Sequence, residues 1–341
     1  MTVESTGELG LIRLIRSAAT RGRADVRTGI GDDCAVLAPG PGELLLATTD
    51  LLVEDVHFRR RYAGPGDVGW KAMAVNLSDI AAMGGRPRWA LVALACPDSV
   101  SADEVDAFYA AALGLADEHE VSIVGGDTSL SPSGWIVNVS LLGTATRAVL
   151  RSTAQAGDLV AVTGSLGRSR AGLALLDGCD REPALDPAVR SEAVAAHLRP
   201  RPRVREGQWL AASGDVTAMI DLSDGLATDL GHVTRESRLR ARVRLPDVPV
   251  AATARTIAAA LNQDAWAWAT GGGEDYELLL TCRRQVFDRL AEGLRQATGT
   301  PLTVVGEIVD GAAGVEFVDA LGRAVAVAPG FEHFATGASR G

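Results

Sequence analysis

The sequence predicts an α/β protein built as two α+β layers rather than one doubly wound sheet. At 341 residues the chain is longer than one hydrophobic core usually serves, so two domains are expected. Strand and helix patterns are mixed along it without strict alternation, which disfavours a repeated βαβ sheet. The composition is that of a globular protein, 47% hydrophobic and 22% charged, and its 38 glycines suit many tight turns. A break near Arg151 divides the chain into an N-terminal domain, 1–148, and a C-terminal domain, 149–341.

The elements follow in order. Leu9, Ile12, Ile15 and Ala19 recur at helical spacing. The loop Thr28-Gly-Ile-Gly-Asp32-Asp33 feeds a short strand from Cys34 to Ala38, and Pro39-Gly-Pro-Gly42 is a turn. Leu44 to Thr49 reads as a buried strand ending at Asp50. Asp67 caps a helix to about Met83, with Met73, Leu77 and Ile80 inward; Gly84-Gly85 and Pro87 stop it. Trp89 to Ala95 is a strand, and Ser101-Ala-Asp-Glu104 is a capping box for a helix to His119. Val121 to Val124 is a strand ending in Gly125-Gly126-Asp127-Thr128, and Trp135 to Thr144 completes the first half.

In the second half, Asp158 to Thr163 is a strand, followed by helices to Ser213 interrupted at Pro200-Arg201-Pro202. Val216 to Ile220 is a strand ending at Asp221, with a helix after it to Arg235. Further strands are expected at 241–245, 276–282, 303–309 and 315–318, with a helix over 284–297. No repeat or low-complexity stretch is present.

Charge and cysteines narrow the function classes. A net charge of −10 argues against a nucleic-acid or anionic-membrane binder, which needs basic surface. Cys34, Cys96, Cys179 and Cys282 form no C-x-x-C pair, so neither a zinc site nor a redox motif is indicated. Met1 to Ser5 has no cationic or apolar leader character, and no apolar run reaches a membrane-span length. The cytoplasm is the expected compartment.

One pattern repeats: a short apolar strand, then aspartate beside glycine or a small hydroxyl residue. It occurs at Asp32-Asp33, Thr48-Thr49-Asp50, Gly126-Asp127-Thr128 and Asp221-Leu-Ser223-Asp224-Gly225. Asn76-Leu-Ser-Asp79 adds a helical version at i, i+3. Singly these are ordinary turn residues. Together they form an oxygen-only, acid-rich set that is costly unless cations bridge it, which points to Mg²⁺ and hence to phosphates. There is no P-loop and no protein-kinase motif set, and Gly271-Gly-Gly-Glu274-Asp275 matches neither.

The ordered set Gly29-Ile-Gly-Asp-Asp33-Cys-Ala35, Thr48-Thr-Asp50 with His57-Phe58, Lys71-Ala-Met-Ala-Val-Asn-Leu-Ser-Asp79, Gly125-Gly-Asp-Thr128, Ile220-Asp-Leu-Ser-Asp-Gly-Leu226 and Gly271-Gly-Gly-Glu-Asp-Tyr-Glu-Leu278 resembles thiamine-monophosphate kinases. Gly330-Phe-Glu-His-Phe334 resembles their tail. The resemblance implies the two-domain fold of aminoimidazole ribonucleotide synthetase and a homodimer paired through N-terminal strands. It also implies ATP-dependent conversion of thiamine monophosphate to thiamine diphosphate. Motif by motif, it implies Asp33, Thr48, Thr49, Asp50, Asp79, Asp127, Asp221 and Asp224 as magnesium ligands. Tyr109, Gly126, Asp127, Arg151 and Ser223 are implied at ATP, and His57, Glu274 and Phe331 at the thiamine phosphate. Asp32 is left open between loop cap and metal contact, and Asp275 is expected to support Glu274. Arg199-Pro-Arg-Pro-Arg-Val-Arg205 reads as a solvated helix start, with a substrate-phosphate role as the alternative.

The acceptor is an anionic phosphate oxygen, so direct in-line transfer without a covalent nucleophile or general base is expected. Two alternatives stand beside this reading: another ATP-dependent enzyme of the same superfamily, or a non-catalytic nucleotide- or metal-binding protein. Selenophosphate synthetases are disfavoured because residues 1–25 contain neither Cys nor Lys.

Overall fold

The computed structural model describes residues 26–28, 32, 35–40, 42–178 and 184–331. The expected first helix, Asp33, Cys34, Cys179 and the tail after Phe331 lie outside the described residues. Cys96 and Cys282 are free thiols.

The first half forms a six-stranded sheet in the order β1-β2-β3-β6-β4-β5. Its strands are β1 (Val26–Thr28), β2 (Ala35–Gly40), β3 (Glu43–Val53), β4 (Arg86–Cys96), β5 (Ser122–Leu130) and β6 (Ile136–Ala145). All neighbours are antiparallel except β4 and β5. The period-two pleat gives the sheet two unlike faces. Leu46, Leu52, Val92, Leu94, Val137, Val139 and Leu141 are buried against helix α1 (Pro65–Ala82), and helix α2 (Ala102–Glu118) packs on α1. On the other face Leu51 is 52% exposed, and Trp89, Leu91 and Ile136 are also exposed.

The second half forms a seven-stranded sheet, β13-β12-β9-β11-β7-β10-β8. The strands are β7 (Leu159–Thr163), β8 (Val216–Asp221), β9 (Arg240–Arg244), β10 (Leu278–Cys282), β11 (Leu302–Val309), β12 (Gly314–Val318) and β13 (Ala324–Val325). β7 and β10 are buried along their whole length. Leu159 and Ala161 face a core shared with α1, helix α5 (Val204–Ser213) and helix α9 (Phe287–Thr298). Val160 and Val162 face a second core. That core is built with helices α3 (Arg168–Leu176), α4 (Pro187–Leu198), α6 (Leu226–Ser237), α7 (Ala252–Leu261) and α8 (Ala265–Gly271). Burial on both faces explains these uninterrupted apolar strands.

Differences from the sequence reading have physical causes. β3 continues past Asp50 to Val53, because β6 pairs with it throughout. β5 runs through Gly125-Gly126-Asp127-Thr128 instead of ending there. Gly126 has φ +152, and a Cβ there would lie 1.8 Å from the Val92 carbonyl oxygen, so this glycine serves close strand approach and not a turn. α1 begins at Pro65, and Asp67 caps it from inside by accepting the Gly64 N–H at 3.1 Å. The capping box at Ser101 and Glu104 is present. α7 and α8 lie in a stretch for which the sequence reading proposed no element.

Candidate active site

α1 carries the site. Its burial forces almost every side chain to have a partner, and Lys71, Val75 and Asp79, at i, i+4 and i+8, turn one stripe toward a cavity of about 450 Å³ between the two halves. One wall is acidic. Asp50 from β3, Asp79 from α1, Asp221 at the end of β8 and Asp224 in the following loop all line it. Ser78 donates to Asp221 at 2.6 Å, and Thr48 donates to Asp79. Burial, then the neighbouring Asp221, push the Asp50 carboxyl up to about 7. Like charges packed this way, with oxygen donors only, fit a hard divalent cation such as Mg²⁺.

Asp229 of α6 accepts the N–H groups of Asp224 and Gly225 at 3.1 and 3.0 Å, fixing the Asp224 loop. Asp224, Asp229 and His232 each present an atom within 4.8 Å of the others. Burial, Arg151 and Arg235 push His232 down to about 3, and Arg235 donates to its ring at 2.9 Å.

The opposite wall is built by the segment 272–277. Gly273 has φ +66, and a Cβ there would sit 2.8 Å from the Ser223 carbonyl oxygen. Glu274 and Tyr276 also adopt positive φ, +56 and +49. Backbone bonds to the Asp224 loop hold this bend: Glu274 N–H to Ser223 at 2.7 Å and Tyr276 N–H to Leu222 at 2.9 Å. The Glu274 carboxylate receives Lys71 Nζ at 3.0 and 3.1 Å and lies 3.0 Å from His197 Nδ1. Burial alone would raise the Glu274 carboxyl, but Lys71 and His197 hold it well below the usual range. Burial and Lys71 depress His197, which keeps it neutral near pH 7. Asp275 accepts the Gly167 and Ser169 N–H groups at 2.6 and 3.3 Å, capping α3, while burial pushes its carboxyl up to about 7. His57 accepts the Val53 N–H at 3.0 Å through Nδ1, and its ring lines the cavity. Phe331 also lines it, anchored by its N–H to the Asp224 carbonyl at 3.1 Å.

The structure thus brings Asp50, Asp79, Asp221, Ser223, Asp224, His57, Glu274 and Phe331 around one cavity, with Thr48 bonded behind Asp79. It places other sequence candidates elsewhere. The β3 pleat turns Thr49 to the exposed sheet face, where it meets Ser140 at 3.0 Å and Asn138 at 2.8 Å. Asp127 lies on the exposed edge strand and accepts the Thr128 N–H at 2.9 Å; Gly126 abuts Val92. Tyr109 packs edge-on against Phe108. Arg151 is held by Asp32 through its backbone N–H, 3.1 Å, and Nε, 3.2 Å, so Asp32 anchors the start of the second half. Arg199, Arg201 and Arg203 pair with Asp67, Glu118 and Glu277 and do not line this cavity. Asn76 is buried and donates to Ala72, apart from Asp79.

Lys71 and His197 line the cavity without a role assigned to them from sequence, as do Arg59, Tyr62 and Asp177. Lys71 carried a usable signal, standing eight residues before Asp79 on the same stripe. His197 carried none, since α4 meets Glu274 only through tertiary packing.

Two family models match in succession: AIR synthase related protein, N-terminal domain, over 31–145, and the corresponding C-terminal domain over 155–319. The fold is therefore that of the AIR synthase class. A thiamine-monophosphate kinase of Salmonella typhimurium is 37% identical over 331 residues, 97% of this chain and 99% of that protein. The solved structure described as AaThiL complexed with AMPPCP and TMP superposes with a TM-score of 0.83 at 32% identity, covering 98% of this chain and 99% of that one. The Stenotrophomonas maltophilia thiamine-monophosphate kinase gives a TM-score of 0.75 at 37% identity, covering 92% and 96%. The chain belongs to the AIR synthase related family and, within it, to the thiamine-monophosphate kinases.

Proposed function

We propose that this chain transfers the γ-phosphoryl group of ATP to thiamine monophosphate, giving thiamine diphosphate and ADP. The observation that carries this reading is one cavity in which four closely set carboxylates, Asp50, Asp79, Asp221 and Asp224, face Glu274, itself held by Lys71 and His197. Asp50, Asp79, Asp221 and Asp224 would hold Mg²⁺ in the cavity, with Thr48 behind Asp79; Asp33, Thr49 and Asp127 are proposed as ligands of further ions, Thr49 and Asp127 lying outside this cavity. Magnesium bound there supplies the positive charge that offsets repulsion between triphosphate and phosphate monoester. His57, Glu274 and Phe331 orient the thiamine phosphate; Ser223 in the cavity is proposed to contact ATP, together with Tyr109, Gly126, Asp127 and Arg151, which lie outside the cavity lining. The acceptor oxygen is already anionic, so transfer is direct and in line, and no side chain needs to remove a proton.

Incubation with ATP, Mg²⁺ and thiamine monophosphate tests this. Thiamine diphosphate is expected, and none should form when magnesium is omitted. No product with ATP binding intact would overturn the reading, and stable labelling by γ-phosphate-labelled ATP without acceptor would overturn direct transfer.

The apolar outer face of the N-terminal sheet, with Leu51, Leu91 and Ile136 exposed beside Thr49, supports a homodimer paired there. Sedimentation equilibrium should give twice the chain mass; a monomer at micromolar concentration would rule the pairing out. No helix among the described residues is long and apolar enough to cross a membrane. We place the protein in the cytoplasm, which cell fractionation would check.

A further inference from the structure

Glu274 is held in an unusual way for a residue that faces a ligand cavity. Its backbone is in the left-handed region, which a non-glycine residue occupies only where surroundings enforce it. Two cations or donors from different halves of the chain converge on its carboxylate: Lys71 from α1 and His197 from α4. The bonds also close a ring. His197 Nδ1 lies 3.1 Å from Ser169 Oγ, the Ser169 N–H reaches Asp275, and Asp275 adjoins Glu274 in sequence. Lys71 is almost fully buried, at 4% side-chain exposure, and its ion-pair partner among the described residues is Glu274. Along α1 it stands eight residues from Asp79, about 12 Å at 1.5 Å per residue, so it serves the opposite end of the cavity from the carboxylate wall.

We propose that Lys71 and His197 are positioning residues that hold the Glu274 carboxylate in a fixed, charge-compensated orientation for binding thiamine monophosphate. The proposal rests on the functional reading above. A carboxylate clamped by a buried ammonium and an imidazole has its lone pairs directed before substrate arrives, so binding does not have to order it. The same clamp keeps Glu274 from joining the magnesium-binding carboxylates, because its charge is already matched. Lys71 thus acts through Glu274 and not on the transferred phosphate.

Steady-state kinetics on Lys71→Met, His197→Ala, His197→Asn, Glu274→Gln and the pair Lys71→Met/Glu274→Gln test it. Each of Lys71→Met, His197→Ala and Glu274→Gln should raise KM for thiamine monophosphate about tenfold, the worth of one charge-assisted hydrogen bond. KM for ATP and kcat should stay within about threefold, since the lost contact is uniform binding. His197→Asn, whose amide nitrogen can stand where Nδ1–H stood, should recover most of the loss. The double variant removes both charges together, avoids a buried unpaired ion, and should bind no worse than Glu274→Gln alone. Additive losses in the double variant, or a collapse of kcat at saturating thiamine monophosphate in Lys71→Met, would overturn the proposal. Wild-type protein that forms no thiamine diphosphate would overturn the functional reading and this role with it. Product formation with additive effects would overturn the clamp alone.

Discussion

The two walls of the cavity are both acidic, yet the chain treats them oppositely. At Glu274 it supplies Lys71 and His197, and the carboxyl is held ionised. At the other wall four carboxylates crowd together: Thr48 donates to Asp79, Ser78 donates to Asp221, and the Asp50 carboxyl is driven up to about 7 by burial and Asp221. The difference teaches that acidity alone does not define a metal site. A carboxylate with a cation built beside it is complete, whereas a packed carboxylate cluster gains from a cation brought from outside.

Substitutions on each side can break or sharpen that contrast. The largest effect is expected at the four-carboxylate wall: Asp221→Asn should lower kcat by about 10²- to 10³-fold, in the range seen when one electrostatic contact to a transition state is removed. It should also abolish the rise in melting temperature that saturating magnesium gives the wild type, worth about 2.7 kcal/mol at one hundred times Kd. An unchanged magnesium shift in Asp221→Asn would show that this wall is not where the ion binds. The compensated wall should respond an order of magnitude less, in KM for thiamine monophosphate.

The smallest effect is expected behind that wall, at Asp275. Burial raises its carboxyl from 3.8 to about 7, against the pull of the Gly167 and Ser169 N–H groups. Its contribution to stability is then fully present below about pH 4 and is lost as pH rises through 7, because the unfolded state ionises first. Asp275→Asn should flatten the fall in melting temperature between pH 5 and pH 8 while leaving kcat close to wild type. An unchanged pH slope would mean that Asp275 titrates normally in the fold.

The aspartates were legible in sequence because each stands in a short motif whose order along the chain is itself informative. Their grouping was only partly legible. Thr48 and Thr49 stand in one motif, yet adjacent strand residues point to opposite faces, and the structure sends Thr49 to the exposed side. Gly125-Gly126 reads as a strand end because glycine permits both a break and a close backbone approach, and only the pairing with Val92 distinguishes them. Asp32 and Arg151, 119 residues apart, could not be paired from sequence. His197 was out of reach for the same reason, since its role depends on where α4 packs. The mixed α+β character was legible because strand and helix periodicities are local, although α7 and α8 lie where the sequence predicts no element.

Helix α1 has one more consequence. It lies in the shared core and supplies Lys71 to one end of the cavity and Ser78 and Asp79 to the other. The distance between the two ends is therefore set by the pitch of a single rigid rod. A small rocking of one sheet against the other would change the width of the cleft but not its length, so the protein carries its own fixed gauge. A one-residue insertion between Lys71 and Asp79 would rotate one end by about 100° relative to the other, turning Leu77, Asp79 and Ile80 off the faces they now occupy.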